Sequence, residues 1–257
     1  HVTHLGDDPG FVGRAVAAHS TAELDHLSTS DGFSDIGELD GPGGGRVVST
    51  TDPNGFGVEV VAGRDSVGRL PLVPTAPRND AAARPRLGET VRLAAGPSHV
   101  KRLGHAVINV VDYAESEAWY RGHFGLVASD EIAIDEERSL GAFLRCDQGE
   151  RYVDHHTLFL VGTGSPGFNH AAFEVSDFDD LMAGHTHLAS AERQHQWGIG
   201  RHVLGSQIFD YWVDPWGHVV EHWTDGDVFN DRTPTNRVGI DELLATQWGP
   251  TSGVPPS

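Results

Sequence analysis

Residues 211–223 read Tyr-Trp-Val-Asp-Pro-Trp-Gly-His-Val-Val-Glu-His-Trp, and the central turn, Asp214-Pro215-Trp216-Gly217, is followed by Glu221. The same element occurs earlier as Asp52-Pro53-Asn54-Gly55, followed by Glu59. Proline fixes φ and glycine relieves a tight reversal, so the motif itself reads as structural. Upstream of each copy lies a Pro-Gly-Phe run, Pro9-Gly10-Phe11-Val12-Gly13 in one and Pro166-Gly167-Phe168-Asn169-His170 in the other. The chain is therefore internally duplicated, and Gly13 stands in the first copy where His170 stands in the second. An architecture that is repeated but carries an imidazole once uses one copy as scaffold and the other for chemistry. Glu59, without a histidine partner, reads as paired or solvated and not as a ligand.

Working outward from the second copy, Leu103 to Val111 is an apolar strand, Asp112 a helix N-cap, Tyr113 to Phe124 an amphipathic helix and Gly125 its stop. Short strands are expected near Leu126 to Ala128, Leu140 to Arg145 and Thr157 to Val161. The pattern restarts with a strand over Phe168 to Val175, a helix capped by Asp177 and running through His187, and three strands ending in His218 to Trp223. This gives an α+β chain of repeated βαβββ modules. A first-half module is incomplete on its own: the strand remnant His1 to Leu5 aligns with Leu158 to Gly162, which predicts a further βαβββ segment before His1. The Pro-rich stretch from Leu70 to Pro97 reads as a connection. The expected domains are 1–69 (incomplete, without metal), 70–97 (linker), 98–229 (catalytic, metal-bearing) and 230–257 (a tail covering a cavity mouth or serving an interface).

Composition narrows the function. Lys and Arg total 18 against 37 Asp and Glu, a net charge of −19, and no basic run offsets it, so nucleic acid is not an expected partner. No segment approaches the roughly 20 apolar residues that cross a bilayer, and no signal-peptide order opens the chain. A cytoplasmic setting is expected. The single Cys146 cannot form an intrachain disulfide and, with Phe143 and Leu144 nearby, is expected to be a small buried core residue.

Three good metal ligands sit inside apolar strands: His105 in Leu-Gly-His-Ala-Val, His170 in Phe-Asn-His-Ala-Ala-Phe and Glu221 in Val-Val-Glu-His-Trp. A lone strand histidine is more often a hydrogen-bonded core residue. A buried carboxylate between valines and a tryptophan, however, needs a cation or donors to balance it. Two histidines and one carboxylate match the facial set that leaves half of an octahedral metal open, with Fe(II) the first expectation and Mn(II) the next. Around these lie His155-His156, one of which faces inward with His156 favoured, and His202 and Tyr211, suited to acid/base or hydrogen-bonding roles. Asp225 and Asp227 read as a solvated segment.

The run from Gly200-Arg201-His202 to Tyr211 and on through Asp214-Pro215-Trp216-Gly217 to Glu221 resembles the signature of the type I extradiol ring-cleavage dioxygenases of the vicinal oxygen chelate superfamily. The resemblance implies modules paired into funnel-like sheets, with metal only in the C-terminal pair. It also implies iron ligands at His105, His170 and Glu221, an acid/base histidine at His156 and substrate contacts from His202 and Tyr211. A catecholic substrate, O₂ and a homo-oligomeric assembly are expected with it. Val203-Leu204-Gly205-Ser206 departs from the polar residues that biphenyl-type members carry there. The rival expectations are a glyoxalase- or epimerase-like isomerase using the same cavity, and a metal-free small-molecule-binding protein of the same fold.

Overall fold

The computed structural model describes residues 10–66, 68 and 77–251. The expected strand His1 to Leu5, Pro9, residues 70–76 of the connection and the last six residues of the tail lie outside the described residues. The first module is β1 (Gly13–Ala17), α1 (Thr21–Leu27), β2 (Gly37–Glu38), β3 (Arg46–Thr51) and β4 (Gly57–Ala62). Its four strands form one sheet in the order β1-β4-β3-β2, with β1 and β4 parallel. Leu24 and Leu27 of α1 bury against Val48, Val60 and Ala62 on one face of that sheet. Residues 77–100 form no helix or strand.

The second module is β5 (Arg102–Val110), α2 (Tyr113–Phe124), β6 (Val127–Ala133), β7 (Ser139–Arg145), a two-residue β8 (Val153–Asp154) and β9 (Leu158–Gly162). Asp112 caps α2 as its sequence requires, its carboxylate accepting from the Glu115 amide, and Gly125 ends the helix in the left-handed region. The third module is β10 (Gly167–Glu174), α3 (Phe178–Ser190), β11 (His195–His202), β12 (Ile208–Val213) and β13 (Val219–Thr224). Asp177 caps α3, which runs three residues past His187 because no glycine or proline stops it. After β14 (Val228–Phe229) come β15 (Asn236–Gly239), α4 (Ile240–Leu243) and β16 (Thr246–Trp248).

Ten strands form one sheet in the order β15-β6-β7-β9-β5-β10-β13-β12-β11-β16. Each module repeats one plan, its first strand parallel to the strand that ends it: β1 with β4, β5 with β9, β10 with β13. The second and third modules meet where β5 and β10 run antiparallel. The tail supplies both outermost strands, β15 beside β6 and β16 beside β11, and Leu243 of α4 packs with Val203 and Leu204. The apolar residues after His202 are thus core packing.

The duplication holds at atomic detail. Gly13 pairs with Gly57 and Ala15 with Glu59; His170 pairs with Val219 and Ala172 with Glu221. Asp52 Oδ1 accepts from the amides of Asn54 and Phe56, and Asp214 Oδ1 from those of Trp216 and His218. Phe11 and Phe168, the equivalent residues of the two Pro-Gly-Phe runs, stack with ring centroids 5.0 Å apart. The first turn also docks onto the second module: Asn54 bonds Ser116 and the Val111 amide, while Tyr120 donates to Asp52 Oδ2 at 2.6 Å.

Three sequence expectations change. Cys146 lies just past the end of β7 and is only half-buried, with Sγ 3.8 Å from Thr157 Oγ1. The strand expected near Leu126 to Ala128 continues to Ala133, because Asp130 turns into the protein and its polar neighbours do not end the ladder. Of the two acids expected to be solvated, Asp225 is exposed while meeting Arg201 at 2.7 Å, but Asp227 is half-buried and accepts from Ser206 at 2.8 Å, which ties down the β11–β12 turn.

Candidate metal centre

Strand register brings the three ligand candidates onto one face. Across β5 and β10, His105 stands opposite Ala172 and His170 opposite Val107. Directly opposed residues share a face, as do residues two apart on a strand, so the two imidazoles are diagonal neighbours separated only by the small Ala172. Glu221 is the partner of Ala172 on β13, and Tyr211 is the partner of Glu221 on β12.

His105 Nε2 lies 3.1 Å and His170 Nε2 3.3 Å from Glu221 Oε2. The ligand atoms of all three lie within 4.8 Å of one another. Neighbouring ligands about 2.1 Å from a six-coordinate ion sit about 3 Å apart, which is close to these separations. Asn169 Oδ1, 2.8 Å from His170 Nδ1, can only accept, so Nδ1 carries the proton and Nε2 offers a lone pair. That Nε2 and Glu221 Oε1 are both buried without a hydrogen-bond partner.

Electrostatics point the same way. Burial pushes the His105 pKa down against the pull of Glu221, and burial holds His202 at about 4. Burial also opposes ionisation of Glu221, but the hydrogen bonds and charges of His105 and His170 outweigh it and keep the carboxyl below its ordinary range. An ionised carboxylate with no exposed surface needs positive charge or hydrogen-bond donors around it. The donor set fits a divalent metal, which His105, His170 and Glu221 would hold.

The remaining candidates gather at this centre. The His156 ring stacks obliquely on His105 at 4.0 Å between centroids. His155 points away, its Nε2 2.6 Å from Asp130 Oδ2 and its Nδ1 3.0 Å from His156 Nδ1. With Asp130 ionised, His155 donates from Nε2, accepts at Nδ1 from His156, and leaves His156 Nε2 as a free base. Burial, followed by the neighbouring histidines, drives the His156 pKa well below its usual value. His202 Nε2 lies 3.1 Å from the Tyr211 hydroxyl and 3.8 Å from Glu221 Oε1. Burial and then the charge of Glu221 raise the Tyr211 pKa well above 10, so the phenol keeps its proton. A cavity of about 450 Å³, lined in part by Asp130, His155, Leu204 and Thr233, opens beside His155.

Sequence reasoning singled out all six of these residues but missed Asp130 and Asn169. Asp130 lies in Ser129-Asp130-Glu131, which reads as a loop. Asn169 was visible beside His170, and the acceptor that a metal-bound imidazole needs at its other nitrogen was the available signal.

Paired βαβββ modules with a His-His-Glu centre in one pair define the vicinal oxygen chelate fold, and similarity to known proteins agrees. Residues 102–222 match the model of the Glyoxalase/Bleomycin resistance protein/Dioxygenase superfamily. The chain is 31% identical over 201 residues to metapyrocatechase 2 of Cupriavidus necator, covering 77% of this chain and 59% of that protein. It thus spans less than two thirds of that relative's length. Among solved structures, the Mn(II)-bound glyoxalase of Novosphingobium aromaticivorans superposes with a TM-score of 0.75 at 24% identity, over 97% of this chain and 74% of the other. The 2,3-dioxygenase LapB of Pseudomonas sp. KL28 gives 0.72 at 17% identity, over 92% and 79%. No helix among the described residues is long and apolar enough to cross a membrane.

Proposed function

We propose that this protein is an Fe(II)-dependent extradiol dioxygenase that inserts both atoms of O₂ into a catecholic substrate. The ring opens beside the diol to a semialdehyde of the muconic type. The observation that carries the reading is the convergence of His156, His202 and Tyr211 on the face that holds His105, His170 and Glu221. The named activity of the metapyrocatechase relative supports it.

When bound, the metal supplies a positive charge that lowers the pKa of substrate hydroxyls and open positions for substrate and O₂. Two neutral imidazoles and one carboxylate leave a net positive site, which favours the catechol anion. Neutral His202 is ready to take a hydroxyl proton, and Tyr211, kept protonated, donates a hydrogen bond to the resulting oxygen. His156 presents a bare Nε2, held in that tautomer by His155 and Asp130, so it can accept a proton and return it during ring opening. Mn(II) is the second choice of metal, and metal analysis distinguishes the two. The proposed setting is the cytoplasm and the proposed assembly a homo-oligomer, which light scattering tests.

The decisive measurement is O₂ uptake with substituted catechols, alongside absorbance of the yellow product, in air and under argon. Turnover that stops under argon and in Glu221→Ala or His156→Ala supports the reading; full uptake in either variant overturns it. The Mn(II)-bound glyoxalase neighbour favours one rival, a metal-dependent isomerase on the same centre. An isomerase would turn over unchanged under argon.

A further inference from the structure

Alternation along β12 sends Tyr211 into the metal centre and its neighbour Asp210 to the opposite face of the sheet, beneath α3. There Asp210, with no exposed side-chain surface, meets two imidazoles from two other elements. His185 of α3 places Nδ1 3.2 and 3.1 Å from the two Asp210 oxygens, and His195 of β11 places Nε2 2.9 Å from Oδ1. The two rings stand nearly perpendicular with centroids 5.0 Å apart. Trp212 Nε1 donates to Asp210 Oδ2 at 2.6 Å and fixes the carboxylate.

We propose that His185, His195 and Asp210 form a second metal site, on the outer face of the sheet, for a borderline divalent ion of which Zn(II) is the probe. Three observations carry it. The donor atoms converge within 4.8 Å of one another, and ligands about 2.1 Å from a tetrahedral zinc sit about 3.4 Å apart. Among the described residues, Asp210 has no Lys or Arg partner; its ion-pair partners are these histidines alone, so its buried negative charge has no permanent counterion. Both imidazoles are about one-third exposed, at 28% and 33%, which gives an ion access from solvent and leaves room for water as a further ligand. Another donor is close: His222 is the cross-strand partner of Asp210, and its buried Nδ1 has no hydrogen-bond partner. A nitrogen-rich set with one carboxylate selects zinc-like ions over calcium or magnesium, which prefer oxygen. The site would tie helix α3 to the strands it covers.

The test strips the full chain with chelator and titrates it with Zn(II), counting bound ions by calorimetry and by metal analysis after desalting. Two ions are expected for the wild type, one for Glu221→Ala and one for the double variant His185→Ala/His195→Ala. That double variant should keep its catechol-dependent O₂ uptake. In Glu221→Ala, two-bond ¹H–¹⁵N spectra should show zinc shifting the imidazole nitrogens of His185 and His195. A wild type that binds a single ion, lost in Glu221→Ala, would overturn the second site. So would His185 and His195 resonances unmoved by saturating zinc. Because the ions are counted separately at each site, failure of the second leaves the proposed dioxygenase reading intact, and the reverse also holds.

Discussion

The first and third modules share a fold, a strand register and a turn, yet among the described residues only the third contributes to a group of possible metal ligands. In β10 and β13 the residues that face each other are His170, Ala172, Val219 and Glu221; in β1 and β4 the same positions hold Gly13, Ala15, Gly57 and Glu59. Glu221 has no exposed surface, whereas Glu59 is exposed. A side chain cannot simply be restored at Gly13, because a Cβ there would overlap the Gly57 carbonyl. The first copy thus differs in local backbone approach as well as residue type, and its turn docks onto the second module instead.

The largest effect expected from breaking this asymmetry is on activity. Glu221→Ala should lose bound metal and lower catechol-dependent O₂ uptake on the order of 10³-fold or more, while Glu59→Ala should leave both within about twofold. Metal analysis and an oxygen electrode read the pair; equal losses would refute the division of labour.

A second contrast concerns the turns. Asp52 additionally binds Arg14 at 3.2 Å and Tyr120, and burial lowers the Arg14 pKa to about 10 against the opposing charge of Asp52. Asp52→Ala leaves that guanidinium unpaired and should cost about 3–5 kcal/mol, since removing one partner of a buried pair strands the other charge. Asp214→Ala, which loses turn hydrogen bonds at a partly exposed site, should cost about 1–2 kcal/mol. Urea unfolding of both variants measures the difference.

The third contrast is pH dependence in the metal-free chain. His202 is depressed from its ordinary value to about 4, so between pH 6.5 and 4 the unfolded chain binds more protons than the folded one. Stability is therefore present above about pH 6.5 and is lost as pH falls toward 4, by roughly 3 kcal/mol from this residue. His105 and His156 shift in the same direction, and among the described residues the first module has only the exposed His19 and His26. Unfolding midpoints measured across this window should fall with acid, and His202→Gln should flatten the slope.

The smallest expected effect sharpens the role of Asn169. Asn169→Ala frees the proton on His170 Nδ1 from its acceptor and should weaken metal affinity about 10–100-fold. Chelator competition reads this directly, and His170→Ala should exceed it.

The modules were legible because each strand and helix carries its own period and cap: Asp112 with Gly125, Asp177, and the two Asp-Pro turns. The cluster of His105, His170 and Glu221 was legible because ionisable residues in apolar strands conflict with local burial. The two-residue strands β8 and β14, and the tail strands β15 and β16, were not, because so short a segment shows no alternation and is defined only by its partner. The cluster of His185, His195 and Asp210 draws on a helix and two strands at spacings that form no motif, so only packing reveals it.

The position of the tail bears on biosynthesis. Since β15 and β16 are the outermost strands at opposite rims of the ten-stranded sheet, β6 is covered only once residue 239 has been made and β11 only once residue 248 has. A chain ending before Asn236 would instead expose the longer strands β6 and β11 as edges, which are better templates for pairing with another chain than the short β15 and β16.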